Sequence, residues 1–443
     1  MAIRVAFQSV GFAPDLGGPQ RARMVRGRYC KAAQARGPGD IDVRVLPNPQ
    51  PLQYVKICSL YGAGFYYIPG TDTCLKVGGA VRAEMDFNAG GSFGLPAGKD
   101  QSARSYDFTY SRVRALLTLD ARTQTEYGTL RTYLQLGQQY DNGGGPDAGW
   151  AARAFIQWAG FTFGHTDSFF DFWSNAVYSN QGNWTNATLG GAGTNVWAYT
   201  AQFGNGLSAS ISAEDPVSRR VGIYNQGGSE AGYAGRQWPD AVGNLRIDQA
   251  WGSAQVMGAI HQVRGLTSGS DVGYAAGAGV KVNLPWAKGD NFTVEADYAN
   301  GAIDYVGHGY KTTSFSTDGT TYAYTNAYDA VTNTSGGLEK TTGWSVVAGI
   351  QHNWNSMWNT SLYGYYGQIS YNDTAKSVLG GDPNWSIGQI GSRTKWTPVK
   401  GLTFSAELMY TTVNTATSEA GFVKTNSGDV NWLSGMIRVQ RSF

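Results

Sequence analysis

The stretch LKVGGAVRAEMDF, Leu75–Phe87, alternates between two kinds of side chain and decides the fold class. Its odd-numbered positions hold mostly leucine, valine, methionine and phenylalanine, whereas its even-numbered positions hold lysine, arginine, glutamate and aspartate among small residues. A period of two puts these sets on opposite faces of an extended chain. The stretch therefore predicts a β-strand with one apolar and one polar face.

The same alternation recurs along the chain, notably at residues 112–119, 292–298 and 402–410. Short turns alternate with long loops rich in glycine, asparagine and serine, and sixteen strands are counted if a tight turn lies at Ala159–Gly160. An even number of strands, with short turns at one rim and long loops at the other, is typical of an outer-membrane barrel. The sequence thus predicts an all-β fold, a sixteen-stranded antiparallel transmembrane β-barrel.

The composition favours strands over helices as the membrane-spanning elements. Mean hydropathy is −0.31, and the longest apolar stretch, Leu60–Gly70, has about half of the roughly 20 residues that a spanning helix needs. A soluble β-rich adhesin or glycan-binding protein is the alternative with alternating strands. Its outer face would be crowded with lysine and glutamate, but charged residues make up only 15% of this chain.

The first 53 residues differ from the rest. Residues 1–50 contain eight lysines or arginines and three acids, with no apolar core of the kind found in a signal peptide. We expect residues 1–53 to be an atypical leader, disordered or from a misassigned start, and residues 54–443 to be the barrel. Residues 51–443 carry a net charge of −3, which gives nucleic-acid binding no electrostatic support.

Motifs of catalysis are absent from the sequence. No Gly-x-Ser-x-Gly elbow or phosphate-binding loop occurs, and the four histidines lack the spacing of metal ligands. We therefore expect neither an enzyme nor a cofactor or metal.

Two cysteines are candidates for a disulfide bond. Cys58 and Cys74 enclose fifteen residues, and a bond between them would stabilise the fold by roughly 3 kcal/mol in a compartment that permits oxidation. The alternative is two reduced thiols.

Three longer stretches resemble the porins of the α-proteobacterial outer membrane, of the rhizobial and Brucella type. They are YVKICSLYGAGFYYIPGTDTCLKVGGAVRAE (Tyr54–Glu84), AFIQWAGFTFGHTDSFFDFW (Ala154–Trp173) and NWSIGQIGSRTKWTPVKGLTFSAELMY (Asn384–Tyr410), and the chain also ends in RVQRSF. The resemblance implies a homotrimeric, water-filled channel for passive diffusion of small hydrophilic solutes and ions, surrounded by outer-membrane lipid and lipopolysaccharide. The alternative is a substrate-selective channel, for which Tyr363, Tyr365 and Tyr371 are candidates.

The polar face of the strands carries the predicted pore lining, because apolar residues are expected to face lipid. The first and last strands are neighbours in a closed barrel, so their charged side chains are expected to form one largely basic wall. The predicted members are Arg82, Glu84, Arg112, Arg114, Arg131, Arg153, Arg393 and Lys395.

The third long loop, Ser168–Thr194, is the predicted constriction. It opens with four aromatic residues between 169 and 173, which would be costly to expose to water, so we expect it to fold into the barrel. An external loop packed against a neighbour in the trimer is the alternative. Arg112, Arg114 and Arg153 are expected to face Asp167 and Asp171 across the narrowest part of the pore, with a weak preference for cations.

Overall fold

The computed structural model describes residues 56–89, 100–141, 149–181, 188–189, 193–225, 230–310, 312–415 and 428–443. The predicted leader, residues 1–53, and Tyr54 lie outside the described residues. Sixteen antiparallel strands in this part of the chain form the barrel, which confirms the predicted fold. They are β1 (Cys74–Phe87), β2 (Thr109–Thr125), β3 (Gly128–Asp141), β4 (Trp150–Trp158), β5 (Phe161–Thr166), β6 (Thr194–Gly204), β7 (Leu207–Glu214), β8 (Asp240–Gln249), β9 (Gly252–Arg264), β10 (Ser270–Asn283), β11 (Asn291–Asn300), β12 (Thr342–Asn353), β13 (Trp358–Ser370), β14 (Trp385–Val399), β15 (Leu402–Thr415) and β16 (Val430–Ser442).

The barrel closes where the last strand pairs with the first. Each strand pairs with its neighbours in sequence, and β16 pairs with β1 from Ala80 opposite Ser442 to Phe87 opposite Gly435. Every barrel strand therefore has two partners, and closure leaves no edge strand whose backbone would be unsatisfied in lipid.

The two faces of the sheet differ as the alternation predicts. On β1 the apolar side chains Val77, Val81 and Met85 are 41–50% exposed, whereas Glu84 and Asp86 on the opposite face of the strand are buried. Apolar residues on the outside and polar residues on the inside reverse the arrangement of a soluble protein and match a barrel in lipid.

Tight hairpins form one rim of the barrel. The assumed turn at Ala159–Gly160 is confirmed, and both residues have left-handed backbone angles, with φ of 49° and 87°. Asn205 and Gly206 connect β6 to β7 in the same way, with φ of 49° and 76°. A two-residue type I′ turn requires positive φ at both positions and matches the twist of the flanking strands.

Longer segments connect the strands at the other rim. The segment between β11 and β12 contains four short strands, Thr313–Phe315, Ala323–Thr325, Ala330–Thr332 and Leu338–Lys340. Its aromatic residues, with those of the segment after β5, pack on the inner faces of β8 to β16 and form the largest buried apolar cluster. The described helices are α1 (Asn175–Tyr178) and α2 (Asp373–Leu379), with 3-10 turns at Pro216–Arg219 and Ile303–Tyr305.

Among the helices of the described ranges, none has the length and apolar character needed to cross a bilayer.

A disulfide bond joins Cys58 to Cys74, as predicted, with a Cα–Cα distance of 6.0 Å. Both cysteines are buried together with Phe65. The bond connects the segment before the barrel to Cys74, the first residue of β1. Tyr66–Tyr67 in the same segment also pairs with Cys74 and Leu75 as a short strand.

Candidate pore lining and constriction

A row of polar side chains crosses six strands at the seam where the barrel closes. Their backbone positions lie opposite one another in the sheet register, so the side chains project from the same face of the sheet. Its members are Lys395 on β14, Ser405 on β15, Arg438 on β16, Glu84 on β1, Arg112 on β2 and Asp141 on β3.

Ion pairs organise this row. Glu84 contacts Arg82 on its own strand and lies 2.8 Å from Arg438, measured between Oε1 and Nε. Arg112 forms a bidentate pair with Asp141, with nitrogen–oxygen distances of 2.7 and 2.6 Å. Two parallel charge-assisted bonds fix the orientation of this guanidinium.

Neighbouring rows extend the charged surface. Arg82 lies opposite Arg114, and Arg393 lies opposite Glu407. The structure thus brings six of the predicted residues together on β14 and on β1–β2, beside Arg438. We call this surface the seam wall. Its cations are Arg82, Arg112, Arg114, Arg393, Lys395 and Arg438. Its carboxylates are Glu84, Asp86, Asp141 and Glu407.

Two predicted residues, Arg131 and Arg153, lie away from the seam wall. Arg131 shares the carboxylate of Asp120 with Arg122, at 3.0 and 2.7 Å, near the rim with tight turns. Arg153 on β4 contacts Asp167, so this predicted pair of opposite charges is brought together.

The segment after β5 begins part-way up the barrel wall, because β5 has only six residues. The Phe169 backbone N–H donates to Glu214 on β7 at 2.9 Å, and the Trp173 backbone N–H donates to Glu295 on β11. We call residues 167–181 the crossing segment.

The crossing segment then continues along the polar face to the last strands. The Ser179 hydroxyl donates to Glu407 on β15 at 2.6 Å, and Arg393 on β14 donates to the backbone carbonyl of Val177. Arg438 on β16 donates to the Asn180 side chain at 2.9 Å. The crossing segment therefore begins beside Arg153 on β4 and contacts the polar face of strands from β7 to β16.

Glycines on the polar face of β10 and β12 leave room for the aromatic rings of the crossing segment. A Cβ atom added to Gly279 would lie 2.1 Å from the ring of Phe172, and one added to Gly349 would lie 2.8–2.9 Å from Trp173 and Tyr178. Real Cβ atoms do not approach so closely, so only glycine allows these rings to lie flat against the wall.

The carboxylate of Asp171 faces Arg219 at 2.8 Å, and not the predicted arginines of β2 and β4. Arg219 also contacts Asp304 at 3.4 Å and lies over the ring of Tyr305 at 4.4 Å. Burial raises the pKa of Asp171 to about 7, although Arg219 opposes the rise and Asp167 adds to it. Burial disfavours the charge on Arg219, but Asp171, Tyr305 and Asp304 outweigh it and raise the Arg219 pKa.

A second buried polar cluster connects the long segments to β8 and β9. His261 on β9 lies 2.8 Å from Asp240 on β8, which also accepts the hydroxyl of Tyr305 at 2.9 Å. Asp329 accepts the Tyr233 hydroxyl at 2.6 Å, and burial raises the pKa of Asp329. No pattern in the sequence points to Arg219 or to this cluster, because the residues lie in loops or on different strands and share no local spacing.

The three tyrosines considered for a selective channel do not line open space. Tyr363 donates its hydroxyl to Glu407 at 2.6 Å, and Tyr371 donates to the Asn326 carbonyl at 2.7 Å. All three, including Tyr365, are at most 4% exposed.

A family model described as the porin subfamily matches residues 42–436. The chain belongs to this porin family. The match begins before Tyr54 and covers nearly the whole chain. It confirms the resemblance to α-proteobacterial porins, and family membership together with the barrel places the protein in the outer membrane.

Curated relatives agree with this assignment, and a solved structure shares the fold. Porin Omp2b of Brucella canis and that of Brucella suis biovar 1 are each 31% identical over 251 residues, which are 52% of this chain and 63% of the relative. The match thus spans less than two thirds of these relatives. The outer membrane channel DcaP of Acinetobacter baumannii has a TM-score of 0.63 at 15% identity, covering 85% of this chain and 99% of DcaP, which shows a shared fold.

Proposed function

We propose that this porin forms a water-filled channel for passive diffusion of small hydrophilic solutes and ions across the outer membrane. The observation that carries the proposal is the seam wall. Charged side chains on the inner face of a barrel are stable only beside water, since burial without solvent or partners would cost several kcal/mol per group. Four of its charged residues are buried, namely Glu84, Asp86, Arg393 and Glu407. The partly exposed charges support an aqueous lumen; they are Arg82, Arg112, Arg114, Asp141, Lys395 and Arg438.

The crossing segment is the proposed constriction. Its hydrogen bonds to Glu214, Glu295 and Glu407 hold it against the inner face of β7 to β15. The remaining lumen then lies between this segment and the wall of β1 to β4, with Arg153 and Asp167 in contact where the segment leaves β5.

The channel is proposed to prefer anions weakly. This differs from the cation preference expected from the sequence, because the carboxylates of Glu295 and Asp297 on β11 are buried and Glu295 is bonded to the crossing segment. The seam wall beside the proposed lumen has more cations than carboxylates, and fixed charge at a constriction sets the sign of selectivity.

We further propose a homotrimer without catalytic activity, in contact with outer-membrane lipid and lipopolysaccharide. Family membership supports a channel rather than an enzyme. The closed barrel with its apolar outer belt does not favour a soluble adhesin.

Planar-bilayer recording tests the proposal. The full chain is refolded in detergent, its heat-modifiable electrophoretic mobility confirms the barrel, and it is added to a bilayer in KCl. Stepwise conductance in groups of three is expected, with a reversal potential displaced toward the chloride potential in a salt gradient. A folded barrel that gives no conductance would contradict the proposed function.

A further inference from the structure

The inner wall of β2, β3 and β4 carries cationic and aromatic side chains in alternating layers. Positions two residues apart on a strand face the same way and lie about 7 Å apart, so each layer is one step along the channel axis. In order from the rim with long segments, the layers are Arg114 with Gln139, Leu116 with Trp150, Gln135 with Arg153, Tyr133 with Phe155, and Arg131 with Gln157.

A bulge in β4 makes this arrangement possible. Trp150 lies opposite Gly137 and Arg153 opposite Gln135, so Ala152 is an extra residue without a partner on β3. Trp150 and Arg153 are three positions apart and would otherwise point to opposite faces. A Cβ atom added to Gly137 would lie 2.5 Å from the Trp150 ring, so glycine lets this ring lie against the wall.

The arginines and rings of neighbouring layers are in contact. The guanidinium carbon of Arg114 lies 5.2 Å from the centre of the Trp150 ring. That of Arg131 lies 5.1 Å from Tyr133 and 5.4 Å from Phe155, and these two rings are stacked at 5.3 Å. All three rings are only half-buried, unlike the covered tyrosines of β13.

The charge of Arg114 is not matched by a carboxylate in its layer. Its guanidinium donates to the side-chain oxygen of Gln139 at 3.0 and 2.5 Å. The residue opposite Arg114 on β1 is Arg82, another cation. Two arginines share Asp120 at the other end of the wall. The layered wall is therefore positive at both ends, and between them lie the two aromatic layers and Arg153, which is paired with Asp167.

We propose that this layered wall selects planar aromatic carboxylates, such as benzoate, over saturated carboxylates of the same charge and similar size. A carboxylate accepts hydrogen bonds from an arginine, while its ring stacks on the indole or on the Tyr133–Phe155 pair. Each step along the wall repeats the same two interactions. The inference rests on the proposed channel function and gives it a solute class.

Bi-ionic reversal potentials measure the selectivity directly. The full-length channel is recorded with potassium benzoate on one side and potassium cyclohexanecarboxylate on the other. Because one ring contact contributes about 0.5–1 kcal/mol, benzoate is expected to be about two- to fivefold more permeant. Equal permeabilities in a channel that conducts KCl would overturn the inference while leaving the proposed function intact. Absence of KCl conductance would contradict both.

Matched variants assign the selectivity to the wall. Trp150→Leu is expected to lower the benzoate ratio toward one in a channel that still conducts KCl. Tyr140→Leu is the control, because Tyr140 lies on β3 but is exposed on the outer face; it should keep the wild-type ratio. The double variant Tyr133→Leu, Phe155→Leu provides a second test if Trp150→Leu does not fold. A wild-type ratio in a folded variant of either kind would overturn the assignment.

Discussion

Arg438 on the last strand and Glu84 on the first form an ion pair across the seam of the barrel, with 2.8 Å between Nε and Oε1. The two residues lie opposite each other in the register that closes the sheet. Glu84 also contacts Arg82, so one carboxylate pairs with two guanidinium groups at the point of closure, and the three side chains together keep a positive charge.

Replacing Glu84 by glutamine should therefore destabilise the barrel and increase its anion preference. Removing one partner of a buried ion pair costs about 3 kcal/mol, because the remaining charges stay desolvated. Urea unfolding in detergent, followed by tryptophan fluorescence, measures the stability. Glu126→Gln, at an exposed turn position, is the control and should behave as wild type. Equal unfolding midpoints for both variants would show that the seam pair does not stabilise closure.

The double variant Arg112→Ala, Arg114→Ala should conduct more than wild type and shift the reversal potential toward cations. Both side chains project from the inner face of β2, so truncation removes volume and two positive charges from the lumen. Single-channel recording in a KCl gradient checks both effects. Arg441→Ala removes an exposed arginine at the rim with tight turns and should change neither. Wild-type conductance and selectivity in the double variant would mean that these arginines do not line the constriction.

Asp171 should make stability depend on pH. Its pKa rises from an ordinary value near 3.8 to about 7 in the folded state, so the folded protein holds an extra proton between those values. The contribution of Asp171 to the free energy of unfolding therefore falls as pH rises from about 4 to 7 and levels off above 7. Urea midpoints at pH 5, 6, 7 and 8 should show this decline.

Asp171→Asn should flatten the decline. Asp271→Asn, which alters an exposed pair with Lys340, should retain it. An identical slope in Asp171→Asn and wild type would contradict the assignment to Asp171.

Replacing Cys58 and Cys74 by alanine should lower stability by about 3 kcal/mol, the loop-closure contribution expected for a loop of this size. The expected phenotype is a lower midpoint of heat modification with normal conductance, because the bond lies before and at the start of β1. Mass spectrometry after alkylation without reductant should find both sulfurs unlabelled in the wild type. Two labelled thiols would exclude the bond.

Gly349→Ala should displace the crossing segment. The added methyl group would overlap the rings of Trp173 and Tyr178, so the segment is expected to move away from β12 and change the single-channel conductance. Gly364→Ala is the matched control on β13, since its Cβ would meet only a carbonyl oxygen at the ordinary contact distance of 3.6 Å. Unchanged conductance in Gly349→Ala would mean that the segment does not depend on this glycine.

Alternation along the strands, together with the pattern of short turns and long loops, predicted the barrel and its strand number. Parity along a strand also assigned Arg112 and Arg114 to the polar face of the sheet. It could not predict Trp150 on the inner face, since the bulge at Ala152 reverses parity there. Nor could it pair Asp171 with Arg219, which are brought together by the folding of two long segments.

Bonds from the crossing segment to strands β7, β11, β14, β15 and β16 also bear on the electrical behaviour of the pore. To swing the segment away from these strands, the bonds would have to break together, whereas loosening any one of them leaves the others in place. The current through one open channel should therefore hold a single steady level with little flicker.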